Sequence, residues 1–249
     1  MMDERFARGN SLLHSVAPKV KVIVATLFVA VVAISNSFLV VTTALAVSCG
    51  FLLLSRLDAD PVLKRLLAAN SFTIFIWLTL PVTFGGQSIA TLGPLSVSQE
   101  GVHLAALITL KTNSIVLCLM ALLSTSSVAT LGHALEALHI SKRICFLLLF
   151  SYRYVFVIYD EYQKLVRAAQ LRCFVPKTSI HTYRTVGYLF GMTLVKSWNR
   201  SSRIHQAMLL RGFNGRLIPL QQHAMARRDI YFLLTSLAIT VGLISLHFI

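Results

Sequence analysis

Apolar residues run through the 249-residue chain in long blocks. Five of these blocks approach the about 20 residues a helix needs to cross a bilayer: Val20–Ser35, Phe38–Ser55, Leu66–Phe84, Val102–Leu123 and Ile230–Phe248. The first two are short and joined only by Asn36-Ser37, which predicts a tight helical hairpin across the membrane. The fourth contains Lys111 and Asn113, which are costly in lipid and are expected to face protein or water.

Between the fourth and fifth blocks the pattern changes. Val128–Ile140 is a short amphipathic stretch with Leu131, Leu135 and Leu138 at helical spacing. Two long helical patterns follow, Ser141–Cys173 and Ser179–Gly212, separated by a break at Pro176; each would be about 50 Å long if straight. Ile144–Tyr159 is apolar enough to suggest a sixth span. Arg153 at its middle and Asp160-Glu161 just after it favour a helix lying in or under the inner leaflet instead. The expected fold class is an all-α integral membrane protein with about five transmembrane helices and a cytoplasmic module containing two long helices. The expected boundaries are a four-span membrane domain at 1–123, the module at 124–228 and a last transmembrane helix at 229–249.

Composition agrees with the bilayer. Hydrophobic residues make up 56% of the chain and charged ones 13%, with a mean hydropathy of +0.73, which a soluble domain of this size could not cover with polar surface. A net charge of +14 would suit nucleic acid only if it lined a soluble basic face. Here it sits between apolar runs. Fifteen of the 23 Lys and Arg residues fall in Ser124–Arg228, and none fall in Asn36-Ser37 or Gly85–Glu100. The positive-inside rule therefore puts the amino end and the basic segment in the cytoplasm, and the Gly85–Ser98 loop and the carboxyl end outside. Cys49, Cys118, Cys145 and Cys173 form no CxxC pair, and no two of the eight histidines stand four apart. Neither a metal cage nor a disulfide framework is expected. The charged start and the lack of a small-residue cleavage site give no sign of a signal peptide.

The two long patterns end alike. Ala168-Ala169-Gln170-Leu171-Arg172-Cys173-Phe174 and Ala207-Met208-Leu209-Leu210-Arg211-Gly212-Phe213 share A-x-x-L-R-x-F. An Arg at a helix carboxyl end is favoured by the helix dipole and can fork to a partner's carboxylate. Gly212 can end the helix and admit a partner's backbone, and the Phe can add apolar contact. Two such endings would suit a partner with two matching sockets. Arg followed by Gly is also a common helix cap, and the sequence leaves both readings open. Lys196, Arg200 and Arg203 form a further basic stripe for an acidic groove or the anionic leaflet. Gly187-x-x-x-Gly191 is a possible close helix crossing.

Two other functions compete. A self-contained secondary transporter or channel would use Lys111 and Asn113 as pathway residues, but the membrane blocks show no internal repeat. A membrane-embedded enzyme would need clustered acids, His or Cys, and Asp160-Glu161 beside Tyr159 is better explained by pairing along the helix surface, for example Asp160 with Lys164. No phosphate-binding Gly-rich loop is present.

At these residues the chain resembles the T components of energy-coupling-factor importers, closest to the cobalt or nickel branch. Their coupling helices end in Arg-centred triplets, commonly Ala-Arg-Gly or Ala-Arg-Ser; here Leu171-Arg172-Cys173 and Leu210-Arg211-Gly212 keep the Arg and replace the Ala. Ser11-Leu12-Leu13-His14 and Pro18-Lys19-Val20-Lys21 are similar to the family's S-x-L-H-x-x-D-P-x-x-K lead-in, with Ala17 where Asp is usual. Arg211-Gly212-Phe213-Asn214-Gly215-Arg216 is similar to the R-G-F-x-G-R ending. The resemblance implies a non-catalytic subunit of a bacterial or archaeal cell membrane. Its partners would be two cytoplasmic ATPase subunits, which bind the ATP, and a substrate-binding membrane subunit, with room for a small accessory one. This chain would hold no cofactor and bind no nucleic acid. The ATPase-docking residues would be Arg172 and Arg211 with Leu171, Cys173, Phe174, Leu210, Gly212 and Phe213.

Overall fold

The computed structural model describes residues 11–83, 88–92, 95–213 and 227–247. Its helices are α1 (Pro18–Ile34), α2 (Phe38–Ser55), α3 (Ala59–Thr83), α4 (Gln99–Leu123), α5 (Val128–Ala137), α6 (Lys142–Leu171), α7 (Ile180–Leu210) and α8 (Arg227–His247). The protein is an all-α integral membrane protein. Helices α2, α3, α4 and α8 are long and apolar enough to cross a membrane. The first expected span corresponds to α1, whose 17 residues lie at the short end of the range for a span. The chain forms two compact units, one of Met2–Ala134 with Gln222–Ile249 and the other of Leu135–Gln221.

In the first unit α4 is the hub, packing against α1, α2 and α3. Lipid tails are as apolar as the helix surfaces, so close packing rather than the hydrophobic effect must hold such helices together. Both α2 and α4 bury small residues among larger ones: Ala44 and Ser48 on one helix, Ser114, Cys118 and Ala121 on the other. Each set repeats at one-turn spacing, which lets the backbones come close. Larger side chains fill the centre of α1, where Val20, Val24, Phe28 and Val32 line one face. The Phe28 ring meets Phe51 of α2 edge-on, and Phe51 in turn meets Phe232 of α8. A short turn at 11–15, in which Ser11 Oγ lies 2.6 Å from His14 Nδ1, tucks Leu13 under α1.

Burial separates the helices of this unit by role. The apolar stretch of α4 is 39% buried and that of α3 only 11%, so α3 lies at the edge with most of its surface turned to lipid. At one end the two helices nearly touch. A Cβ on Gly101 would stand 2.8 Å from both the Leu80 carbonyl oxygen and Pro81 Cα. Only glycine allows that approach.

Two expectations shift. The third span starts at Ala59, where Asp60 favours a helix amino terminus and pairs with Lys64 one turn on, several residues before the apolar run begins. The segment expected as a loop between α3 and α4 contains an antiparallel hairpin, β1 (Ser88–Leu92) and β2 (Leu95–Ser98), with Leu92 opposite Leu95 and an irregularity between Ser88 and Ala90. Two short apolar-polar alternations on either side of Gly93-Pro94 are the sequence signal for such a hairpin; Gly93 and Pro94 lie outside the described residues, as do the expected span ends Phe84 and Phe248.

The second unit is built on α6 and α7. Tyr162 stacks on Phe190 at 5.0 Å, Glu161 bonds Lys196 and Arg200, and Phe146 meets Phe213 at 5.4 Å. Positions rising along α6 thus meet positions falling along α7. The two helices run antiparallel.

Candidate functional site

The carboxyl ends of α6 and α7 adopt one backbone pattern. At α6 the Cys173 amide donates to Gln170 O and the Phe174 amide to Ala169 O, at 3.0 and 3.1 Å. At α7 the Gly212 amide donates to Leu209 O and the Phe213 amide to Met208 O, both at 3.0 Å. This is the Schellman arrangement, which needs a left-handed residue just past the cap. Cys173 and Gly212 supply it, with φ of 64° and 75°. The helix α5 ends the same way, through His139 at φ 66° and an Ile140 amide bonded to Leu135 O. The cap is therefore a general device in this unit, and it explains the residue after the Arg and the position of the Phe.

The cap does not explain Leu-Arg. Leu171 and Leu210 are 87% and 89% exposed, and no carbonyl, acid or core surface requires them. Among the described residues no hydrogen bond or ion pair holds the guanidinium of Arg172 or Arg211. Each helix end thus offers solvent a large apolar side chain beside a cation. Because α6 and α7 are antiparallel, the two ends lie at opposite ends of the pair, up to about 45 Å apart along it at the helical rise.

Other expected site residues take different places. Phe213 packs on Phe146 of its own unit and Phe174 is half-buried, whereas Leu171 and Leu210 are exposed. The basic stripe is largely engaged inward. Lys196 Nζ donates to Glu161 Oε1 at 2.7 Å and Arg200 donates to Oε2 at 3.2 Å, while Arg203 is exposed. The Lys196 hydrogen bond holds the Glu161 carboxyl below the usual range against an opposing desolvation, helped by the charges of Lys196, Lys164 and Arg200. A Cβ at Gly187 or Gly191 would meet nothing within 4 Å, so among the described residues no helix packs closely on the face these glycines present. Asn214, Gly215 and Arg216 of the expected R-G-F-x-G-R ending lie outside the described residues.

Between the two helices is a cavity of about 750 Å3 lined by Phe150, Tyr154 and Ile158 of α6 and Leu194, Trp198 and Ile204 of α7. Its walls are almost wholly apolar.

Lys111, Asn113, Asn70 and Trp77 of the membrane unit find hydrogen-bond partners within it. Lys111 Nζ donates to Ala33 O and Asn36 Oδ1, both at 3.1 Å, and so sits at the carboxyl end of α1, where a cation is favoured. Asn113 and Asn70 exchange two amide hydrogen bonds of 3.0 and 3.1 Å, and the Trp77 indole donates to Thr109 Oγ1. These bonds join α3 and α4. A water-lined pathway would need some of these groups free.

The chain is similar in sequence to several known proteins. An energy-coupling factor transporter transmembrane protein EcfT of Brevibacillus brevis is 25% identical over 226 residues, covering 85% of this chain and 84% of that protein. The nickel permease LarQ of Lactiplantibacillus plantarum is 27% identical over 204 residues, 82% of this chain and 68% of that one. An uncharacterized protein of Methanocaldococcus jannaschii is 23% identical over 250 residues, 97% of this chain and 85% of its own length. The family described as CbiQ, cobalt transport protein, matches residues 9–223, a stretch that includes both Arg-tipped helix ends, and the chain belongs to that family.

Proposed function

We propose that this chain is the transmembrane coupling subunit of an ATP-driven energy-coupling-factor importer, and that Arg172 and Arg211 dock two cytoplasmic ATPase subunits. The observation that carries this reading is the matched pair of capped helix ends, each presenting Leu-Arg outward from one antiparallel pair. One socket could not take both ends at such a separation. Two copies of one socket, as on an ATPase dimer, can.

In this reading the ATPase subunits bind and hydrolyse ATP. This chain contributes neither catalytic groups nor a cofactor. An Arg fork on a carboxylate fixes direction as well as distance, so closure of the ATPase dimer would pull both ends together and shift α6 against α7. The membrane helices pass that motion to a separate substrate-binding membrane subunit, with or without a small accessory one. The amino end and the 135–221 unit would be cytoplasmic, which the charge placement supports. Cobalt is the first candidate substrate and nickel the second, on the family description and the name of the nickel permease relative. The main rival, a self-contained transporter, is disfavoured by Lys111 and Asn113, which are spent on internal hydrogen bonds.

The test is copurification. Arg172→Ala with Arg211→Ala should lower recovery of the ATPase subunits at least tenfold while the chain still inserts in the membrane. Undiminished recovery would refute the docking role. Transport by the purified chain alone in liposomes would favour the rival.

A further inference from the structure

One buried polar cluster lies where both connections to the 135–221 unit leave the membrane unit. Lys21 of α1, 1% exposed, donates to Thr125 O at 3.4 Å, Thr125 Oγ1 at 3.1 Å and Ser126 Oγ at 2.9 Å. Thr125 and Ser126 form the turn between α4 and α5, and the chain passes through α5 into the second unit. Asp229 of α8, 3% exposed, accepts the Ala17 amide at 2.9 Å and also attracts Lys21 electrostatically. Helix α8 is the first described element after the chain returns at Gln222. The start of α1 therefore holds the outgoing connection through Lys21 and the returning one through Asp229.

Ala17 has no side chain with which to cap α1, and its own amide is held from α8, more than 200 residues away in sequence. A carboxylate on residue 17 would bond amides of the first turn of α1 locally. One on residue 229 takes the Ala17 amide and so ties two helices together. Burying two charges is a poor way to gain stability alone, since well-packed apolar residues do as well or better, but it fixes geometry. The Thr125 hydroxyl is itself bonded back to Leu122 O at 2.9 Å, so Lys21 grips the end of α4 rather than a loose side chain.

We infer that Lys21 and Asp229 are positioning residues for transport, grounding both connections on α1 so that movement of the 135–221 unit reaches the membrane helices instead of dissipating at the α4–α5 turn. This rests on the coupling reading above. Without the cluster, the ATPase subunits would still dock and hydrolyse ATP, but the stroke would be lost.

The experiment uses the complete purified complex in liposomes, with cobalt(II) uptake and ATP hydrolysis measured on the same preparation. Lys21→Met and Asp229→Ala should lower cobalt taken up per ATP hydrolysed at least fivefold, with ATPase subunits still bound. Asp229→Asn keeps an oxygen for the Ala17 amide and should retain more coupling than Asp229→Ala. Ala17→Asp combined with Asp229→Ala returns a carboxylate to the start of α1 without the tie to α8, and should insert normally yet stay uncoupled. A wild-type uptake-to-hydrolysis ratio in the variants, or uptake and hydrolysis falling in parallel, would overturn the inference. So would loss of every variant from the membrane, which would make the cluster a folding element. A wild-type chain that binds no ATPase, or a wild-type complex that hydrolyses ATP without taking up cobalt(II), counts instead against the coupling or substrate reading, and takes this inference down with it.

Discussion

The two compact units treat charge in opposite ways. In the membrane unit the cations Lys21 and Lys111 each end on oxygens of neighbouring helices, and Asp229 takes the Ala17 amide. In the 135–221 unit Lys196 and Arg200 close on Glu161 at the helix crossing, yet each long helix ends in an outward Leu-Arg beyond its cap. Lipid penalises every unsatisfied polar group, and Lys21, Lys111 and Asp229 on its helices are accordingly spent internally. The charge of the Leu-Arg ends, by contrast, is exposed and taken up by no described residue. The difference separates residues that build the protein from residues that could be read by another.

The glycines offer the strongest way to break this comparison. The position a Cβ on Gly101 would take lies 2.8 Å from the α3 backbone at Leu80 and Pro81, and backbone cannot rotate away. Gly101→Val should cost about 3 kcal/mol through overpacking of α3 against α4, read as a fall of several degrees in the melting temperature of the solubilised chain. Gly187→Val on α7, where nothing lies within 4 Å, should leave the melting temperature unchanged or slightly raised. If the two variants behaved alike, the contrast between a closely packed membrane unit and an open helix pair would fail.

Much of the fold was legible because lipid simplifies the code. Spans follow from apolar length, and α2 and α4 fall where the runs predicted. The start of α3 was missed because Asp60, Lys64 and Arg65 look like a loop to a hydropathy count, although they make an ordinary polar first turn. The hairpin at 88–98 was hidden by its brevity. At the candidate site, the repeat gave the Arg and Leu positions, while the cap geometry required coordinates. Cys173 looked like a departure from the family triplet, yet its φ of 64° matches the role of Gly212. Asp229 could not have been found from the sequence: its partner is the amide of Ala17, which any residue except proline would provide.

The caps sharpen the comparison with a smaller effect of two signs. A side chain at left-handed φ is strained, and glycine relieves it. Cys173→Gly should therefore stabilise the unit by about 1 kcal/mol. Gly212→Ala meets no atoms within 4 Å, so its cost is conformational alone, again about 1 kcal/mol. Hydrogen exchange at the last turns of α6 and α7 would show slower opening in the first variant and faster in the second. Equal docking of ATPase subunits by both would separate the cap from Leu-Arg.

The smallest effect is expected at Glu161, where charge in the second unit is satisfied internally by Lys196 and Arg200. Its carboxyl is held below the ordinary value in the folded chain, chiefly by the Lys196 hydrogen bond. A lowered folded pKa means the unfolded chain takes up the proton first as pH falls. The stabilising contribution is thus complete above the unfolded carboxyl value of about 4.3 and is lost as pH drops through the lowered folded value. Between pH 7 and 5 the clasp between α6 and α7 should not change. Below about pH 4 exchange of the amides around Thr193 should accelerate in the wild type relative to Glu161→Gln, which lacks the titrating group and should start faster and show no comparable step. A step of equal size in Glu161→Gln would assign the transition to other acids, and would leave Lys196 and Arg200 as exposed charge of the same kind as Arg203.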